Sequence, residues 1–176
     1  MSQIHSEREF CPLSIAVLTV SDTRTIAEDG SGQILVERLT AAGHQLAGRA
    51  IVPDDRYQIR AVVSRWIADS AVQVVLVTGG TGLTGRDRTP EAIQPLLDTE
   101  IPGFGELFRW VSWEEIGAAT LQSRALGGMA NATFVFCLPG SSGACCTAWD
   151  RILQPQLDAR TRPCNFVELM PRLRER

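Results

Sequence analysis

The sequence predicts an α/β fold: a three-layer αβα, Rossmann-like arrangement with a mainly parallel sheet, in a single domain. Three observations predict it. Short apolar runs rich in β-branched residues alternate with segments whose apolar residues recur at helical spacing. The strand candidates are apolar throughout rather than alternating, as strands covered on both faces are. The length, 176 residues, suits one domain with a proper core. An α/β domain is expected over residues 13–157, with an N-terminal tail at 1–12 and a polar, arginine-rich C-terminal tail at 158–176. No internal repeat, low-complexity segment or linker interrupts it.

Taken in order, Leu13–Val20 reads as a buried strand bounded by Pro12 and Ser21-Asp22. Ser31 is placed to cap a helix carrying Leu35, Leu39 and Ala42 on one face and ending at Gly43. A weaker strand lies within Gln45–Val52, and Asp54 or Asp55 caps a helix with the stripe Ile59, Val62, Val63, Trp66 and Ile67. Val72–Thr78 is the strongest strand and runs into Gly79-Gly80-Thr81-Gly82. Thr89-Pro90-Glu91 resembles a helix start, with the hydroxyl as cap, proline in the first turn and an acid near the positive end; Pro95 shortens that helix. Helical character returns at Pro102–Trp110, and Ser112 with Glu115 fits a capping box for a helix reaching Gly127-Gly128. Thr133–Leu138 is a fourth buried strand; a last helix with Cys145, Ala148, Trp149 and Ile152 on one face meets Pro155.

Composition narrows the chemistry. All 17 basic residues are arginine, which excludes a Walker A lysine, a Schiff base and pyridoxal-phosphate catalysis. The two histidines are His5, in an expected frayed tail, and His44, so a Ser-His-Asp triad or histidine-rich zinc site is hard to build. Five cysteines without a Cys-x-x-Cys indicate neither a disulfide framework nor a zinc ribbon, and Cys145 falls on an apolar helix stripe as a core residue would. Net charge −3 argues against nucleic acid, and no apolar run is long enough to span a bilayer. A cytoplasmic protein without tightly bound cofactor is expected.

In open α/β sheets ligands bind beyond the carboxyl ends of the strands. Here those ends carry Ser21-Asp22, Pro53-Asp54, Gly79–Gly82 and Pro139-Gly140-Ser141. Closely spaced glycines suit either an amide cradle for an oxyanion or simply a tight turn. Asp87, beside that loop, reads as a Mg²⁺ ligand opposite a bound phosphate, or as a partner of Arg86 or Arg88 or a helix cap. Asp54 reads as a second functional acid or an ordinary cap. The loop lacks Gly-x-Gly-x-x-Gly spacing and follows the third strand, which disfavours a dinucleotide-dependent oxidoreductase.

The stretch Val77–Ala92, with Thr-Gly-Gly-Thr-Gly followed by Arg-Asp-Arg-Thr-Pro-Glu, resembles the signature of the molybdopterin-binding family of molybdenum cofactor biosynthesis. Pro102-Gly-Phe-Gly-Glu106 and Leu138-Pro-Gly-Ser141 resemble its other motifs, in order; similarity extends from about Leu13 to Phe166 and includes Leu121-Gln-Ser-Arg-Ala125. It points to the family's B branch rather than to its dedicated adenylyltransferase branch. The resemblance implies binding of molybdopterin, with transfer of AMP from Mg-ATP to its terminal phosphate; a non-catalytic pterin-binding protein is the alternative. It assigns Asp87 as catalytic and Mg²⁺-binding and Asp54 as a second catalytic acid. Ser21, Gly79, Gly80, Thr81, Gly82, Arg86, Thr89, Glu106, Pro139, Gly140 and Ser141 are the expected substrate-binding residues. Chemistry of this kind needs positioning and charge neutralisation, not lysine or histidine. A homo-oligomer, trimer or hexamer, is also implied.

Overall fold

The computed structural model describes residues 3–4 and 8–175; His5 lies outside the described residues. In chain order the elements are β1 (Gln3–Ile4), β2 (Ser14–Val20), α1 (Gly30–Ala41), β3 (Gln45–Val52), α2 (Arg56–Ala68), β4 (Val74–Thr78) and α3 (Thr89–Ile93). There follow β5 (Thr99–Glu100), α4 (Pro102–Ile116), β6 (Leu126–Ala130), β7 (Thr133–Leu138), α5 (Ser142–Ala148), α6 (Gln154–Gln156), β8 (Thr161–Arg162) and α7 (Phe166–Leu169). Six strands form one sheet in the order β3-β2-β4-β7-β6-β5. The first four are parallel, and β6 and β5 extend the sheet antiparallel. The mainly parallel αβα fold expected from the apolar runs is the one observed.

Alternate residues of each central strand feed two cores. Ile15, Val17, Leu76 and Phe136 pack with Leu35, Phe108 and Trp149 under α1, α4 and α5. Ala16, Leu18, Val75 and Val77 pack with Ile59, Val63 and Ile93 under α2 and α3. Cys145 is buried in the first core, and burial pushes its thiol up to about 12, as befits a packing residue.

Several element ends differ from the sequence expectation. α1 is capped by Asp29, whose carboxylate accepts from the Gly32 amide at 2.9 Å; Ser31 sits inside the first turn. Asp29 prevails because it is anchored on both sides, accepting from the Thr19 hydroxyl at 2.7 Å and from Arg49 at 3.0 Å. α2 is capped by Asp55, which leaves Asp54 free for another role. Thr89 does not cap α3: its hydroxyl donates to the Gly79 carbonyl at 2.8 Å.

The largest difference concerns the expected capping box. Ser112 and Glu115 lie within α4, which runs unbroken from Pro102 to Ile116 because Phe104, Phe108 and Val111 bury one continuous face. Gly117, at φ +55°, ends it. Gly127-Gly128 is then no helix stop but part of β6, where side chains would not fit: a Cβ on Gly127 would lie 2.9 Å from Phe104 and Phe136, and one on Gly128 2.4 Å from Leu97. Asn131 and Ala132 turn β6 into β7, both at positive φ, the backbone of a tight hairpin without its usual glycine signal.

Beyond α5 the chain makes one wide π-helical turn, Trp149–Leu153, which accommodates Pro155, a residue with no amide to donate. The segment from Asp158 is packed rather than solvated: Thr161, Asn165 and Val167 are buried, Phe166 stacks on Phe134 at 4.7 Å, and β8 pairs with β1. Among the described residues no helix is long and apolar enough to cross a membrane.

Candidate functional site

The chain winds outward from β2 in opposite directions, to β3 on one side and β4 on the other. The exits of β2 and β4 therefore diverge, and the crevice between them is the place where such sheets bind ligands. A cleft of about 570 Å³ opens there, a size suited to a small molecule. One wall is made of strand exits: Ser21, Thr23 and Arg24 after β2, Gly79–Gly82 after β4 and Pro139–Ser141 after β7. The other is made by α4 and the 3₁₀ turn after it, through Phe108, Ser112, Glu115, Ile116 and Gln122.

The glycines on the strand wall are required by geometry. Gly79 has φ +102°, and a Cβ there would lie 2.2 Å from the Val20 carbonyl oxygen. Gly80 has φ +63°, and its Cβ would meet Thr89 Oγ1 at 2.4 Å and Asp54 Oδ2 at 2.7 Å. The Gly79 carbonyl accepts from the Thr89 hydroxyl and the Gly80 carbonyl from the Thr89 amide at 3.0 Å. Both carbonyls are thus tied back to Thr89, which keeps their negative ends off the cleft.

Three carboxylates flank this loop. Asp87 lines the cleft and accepts from the amide and hydroxyl of Thr84 at 2.8 and 2.6 Å. Burial opposes its ionisation, but those bonds, the Gly82 amide and the Arg124 charge outweigh it and hold the carboxyl below the usual range. Asp54 behaves oppositely. Burial, reinforced by the Asp87 and Asp22 charges and only partly offset by the Arg88 amide at 3.0 Å, pushes its carboxyl up. Asp22 accepts from the Asp54 amide at 3.1 Å and pairs with Arg86 at 2.6 Å.

Of the residues expected from sequence, Ser21, Gly79, Gly80, Thr81, Gly82, Asp87, Pro139, Gly140 and Ser141 line the cleft together. Asp54 and Thr89 lie behind the loop and shape it. Arg86 points outward to Asp22 and is exposed, and Glu106 borders a separate depression of about 240 Å³ with Gln94, Glu100 and Arg109. Neither lines the cleft.

Sequence reasoning missed two arginines. Arg124 donates from Nε to the Gly82 carbonyl and from Nη2 to the Asp87 carbonyl, each at 2.7 Å, and from Nη1 to Glu91. It staples both ends of the segment carrying Asp87. Its signal was present in the Leu121–Ala125 stretch, but nothing local says which arginine reaches back to a loop forty residues earlier. Arg24 lines the cleft and donates to the Gly140 carbonyl and the Ser31 hydroxyl, both at 3.3 Å. In a chain without lysine it is the cation on the strand wall.

Residues 16–159 match the family model described as a probable molybdopterin binding domain. Molybdenum cofactor biosynthesis protein B of Escherichia coli K12 is 58% identical over 166 residues, covering 94% of this chain and 96% of that protein. A crystal structure of a molybdenum cofactor biosynthesis protein B superposes with a TM-score of 0.83 at 45% identity, over 85% of this chain and 94% of the other. A tungsten cofactor synthesizing protein, MoaB from Pyrococcus furiosus, gives a TM-score of 0.77 at 35% identity, over 93% and 98% of the two chains. With two of its three motifs at the switch-point cleft and the third, Pro102–Glu106, bordering the separate depression, the chain belongs to the molybdopterin-binding family of molybdenum cofactor biosynthesis, among the B proteins.

Proposed function

We propose that the chain serves molybdenum cofactor biosynthesis by binding molybdopterin in the switch-point cleft, with its terminal phosphate against Gly79–Gly82 and Ser141. The observation that carries this reading is the loop itself: two positive-φ glycines whose carbonyls are tied back to Thr89, with the Arg24 guanidinium on the same wall of the cleft. The Gly79 amide already serves the Leu138 carbonyl and the Gly82 amide serves Asp87, so a phosphate held there would exchange its water shell for the remaining loop donors and Arg24. Self-association as a trimer or hexamer belongs to the same proposal, and sedimentation of the purified chain tests it.

A second reading, AMP transfer from ATP to that phosphate, is favoured by the paired acids Asp87 and Asp54. Mg²⁺ is held by one or two carboxylates plus substrate phosphates, so a three-carboxylate cage is not needed, and none occurs among the described residues. Burial is the main cause that raises Asp54, and a divalent ion would relieve the lesser part due to the Asp87 and Asp22 charges. The hard carboxylate oxygens of Asp87, beside the cleft, suit Mg²⁺. When bound with ATP, the ion would neutralise phosphate charge. Asp87, ionised and held by Thr84, would hold it; Asp54 would support the loop from behind.

The test is titration with molybdopterin, followed by incubation with Mg-ATP, of wild type and Asp87→Asn. Pterin affinity without AMP transfer supports the binding reading. Adenylylated pterin, with turnover reduced by about a hundredfold or more in Asp87→Asn, supports the transfer reading. No affinity for molybdopterin in the wild type defeats both.

A further inference from the structure

The helix wall of the cleft carries the pair that looked like a capping box, and it caps nothing. Ser112 and Glu115 are i and i+3 on α4 and both line the cleft. The Thr147 hydroxyl lies 2.8 and 2.9 Å from the two Glu115 oxygens and 3.0 Å from the Gly143 carbonyl. Its single proton serves one of these at a time, whereas an ionised carboxylate has about four acceptor positions. The neighbouring acid is different: Glu114 is matched by Arg151 at 2.9 Å. Glu115 is thus an acceptor-rich group at the cleft, with its adjacent arginine already committed elsewhere.

Thr147 lies six residues along the helix from Ser141, the α5 cap, and so about 9 Å from the strand-exit end at 1.5 Å per residue. The cleft is therefore two-ended, with donors and a guanidinium at the strand exits and acceptors on α4. It suits a ligand with an anion at one end and neighbouring N–H donors at the other.

We propose that Glu115, aided by Ser112, is a specificity-determining residue that reads the 2-amino and ring N–H edge of a 2-amino-4-oxopteridine whose phosphate sits at the glycine loop. The inference rests on the pterin-binding reading above and adds what selects the ring. A carboxylate takes such an edge through two parallel N–H bonds, as it takes a guanidinium. A ring with a carbonyl in place of the 2-amino group presents a lone pair to the carboxylate instead. Glu115 is exposed in the free chain and Ser112 is buried, so the match is desolvated only once the ring covers it. Sites that pair a ligand's donor with such an acceptor reject the analogue lacking the donor better than apolar pockets do.

The experiment uses two probes: a pterin with a phosphomonoester on its 6-methylene group, and its 2-oxo (lumazine) counterpart. Both are titrated by pteridine fluorescence into wild type, Glu115→Gln and Ser112→Ala. Wild type should prefer the 2-amino probe by about tenfold or more, the scale of one satisfied polar contact. Glu115→Gln should lower that preference below about threefold, by weakening the 2-amino probe and by offering the 2-oxo probe an amide N–H that the carboxylate lacks, and Ser112→Ala should lower it less. Competition by inorganic phosphate should stay within about twofold in both variants, showing an intact loop. Undiminished preference in Glu115→Gln, or equal binding of both probes by wild type, overturns the inference and leaves the pterin reading standing. AMP is titrated as a third ligand, and loss of its affinity in Glu115→Gln with the 2-amino preference retained also overturns the inference, since the ring at Glu115 would then be adenine. Failure of wild type to bind either probe removes the pterin reading and the inference together.

Discussion

On the strand-exit wall of the cleft the polar groups are set by backbone: positive-φ glycines, carbonyls bonded to Thr89, and a loop stapled by Arg124. On the helix wall they are set by packing. α4 turns Phe104, Phe108 and Val111 inward, and the angle of that apolar stripe alone decides that Ser112 and Glu115 meet the cleft. The outer face of α4 carries Trp110 and Trp113, 67% and 58% exposed, so this wall is held from one side only among the described residues. In the proposed binding mode a ligand's anion would meet a preorganised surface, while its far end would meet side chains that retain rotamer freedom. On that proposal affinity would belong to the first wall and selectivity to the second.

The sharpest way to break this contrast is Gly79→Ala. A left-handed backbone and a methyl 2.2 Å from the Val20 carbonyl oxygen should cost about 3 kcal/mol or more, read as a shifted urea midpoint. A cost below about 1 kcal/mol would show that the strand wall is not rigid. Next is Arg124→Ala, which strands two loop carbonyls and Glu91. It should destabilise by about 2 kcal/mol and weaken phosphate-probe binding about tenfold, with Arg124→Lys intermediate because an ammonium cannot span the same fork. Unchanged affinity would mean that the loop holds itself.

Asp54→Asn is expected to act in the opposite direction. Because the Asp54 carboxyl is raised in the folded chain, the native state binds the proton more tightly than the unfolded chain does. Its ionisation then costs stability as pH rises from the unfolded carboxylate range through the raised folded value. Removing the charge should raise the melting temperature at neutral pH, with no gain at a pH low enough to protonate Asp54 in both states. A lower melting temperature at neutral pH would show that the carboxylate braces the loop instead of straining it. The smallest effect is predicted on the other wall. Ile116→Ala, at a residue 55% exposed, should change stability by no more than about 0.5 kcal/mol.

The two walls were not equally legible in the sequence. Gly79 to Gly82, Asp87 and Pro139 to Ser141 could be named because each follows directly from a strand whose apolar run is local. By proximity to the loop the sequence singles out Arg86 and says nothing of Arg124. Yet Arg86 turns out to Asp22, and Arg124 arrives from a turn that the chain reaches only after α4. Ser112-x-x-Glu115 has the residues of a helix start, but apolar burial on both sides of it outweighs the local preference for a cap, worth only about 1 kcal/mol.

By itself the sequence determined the four parallel strands, most of the helices between them and the glycine turn at the switch point. Those features depend on periodicity within a few residues and on dihedrals only glycine adopts cheaply. Tertiary structure decided the antiparallel extension through Gly127-Gly128, the single span of α4, the meeting of Arg124 and Asp54 with the loop, and the placing of Glu115 at the cleft. Such choices depend on which distant surfaces exclude water together, and no window along the chain contains both partners.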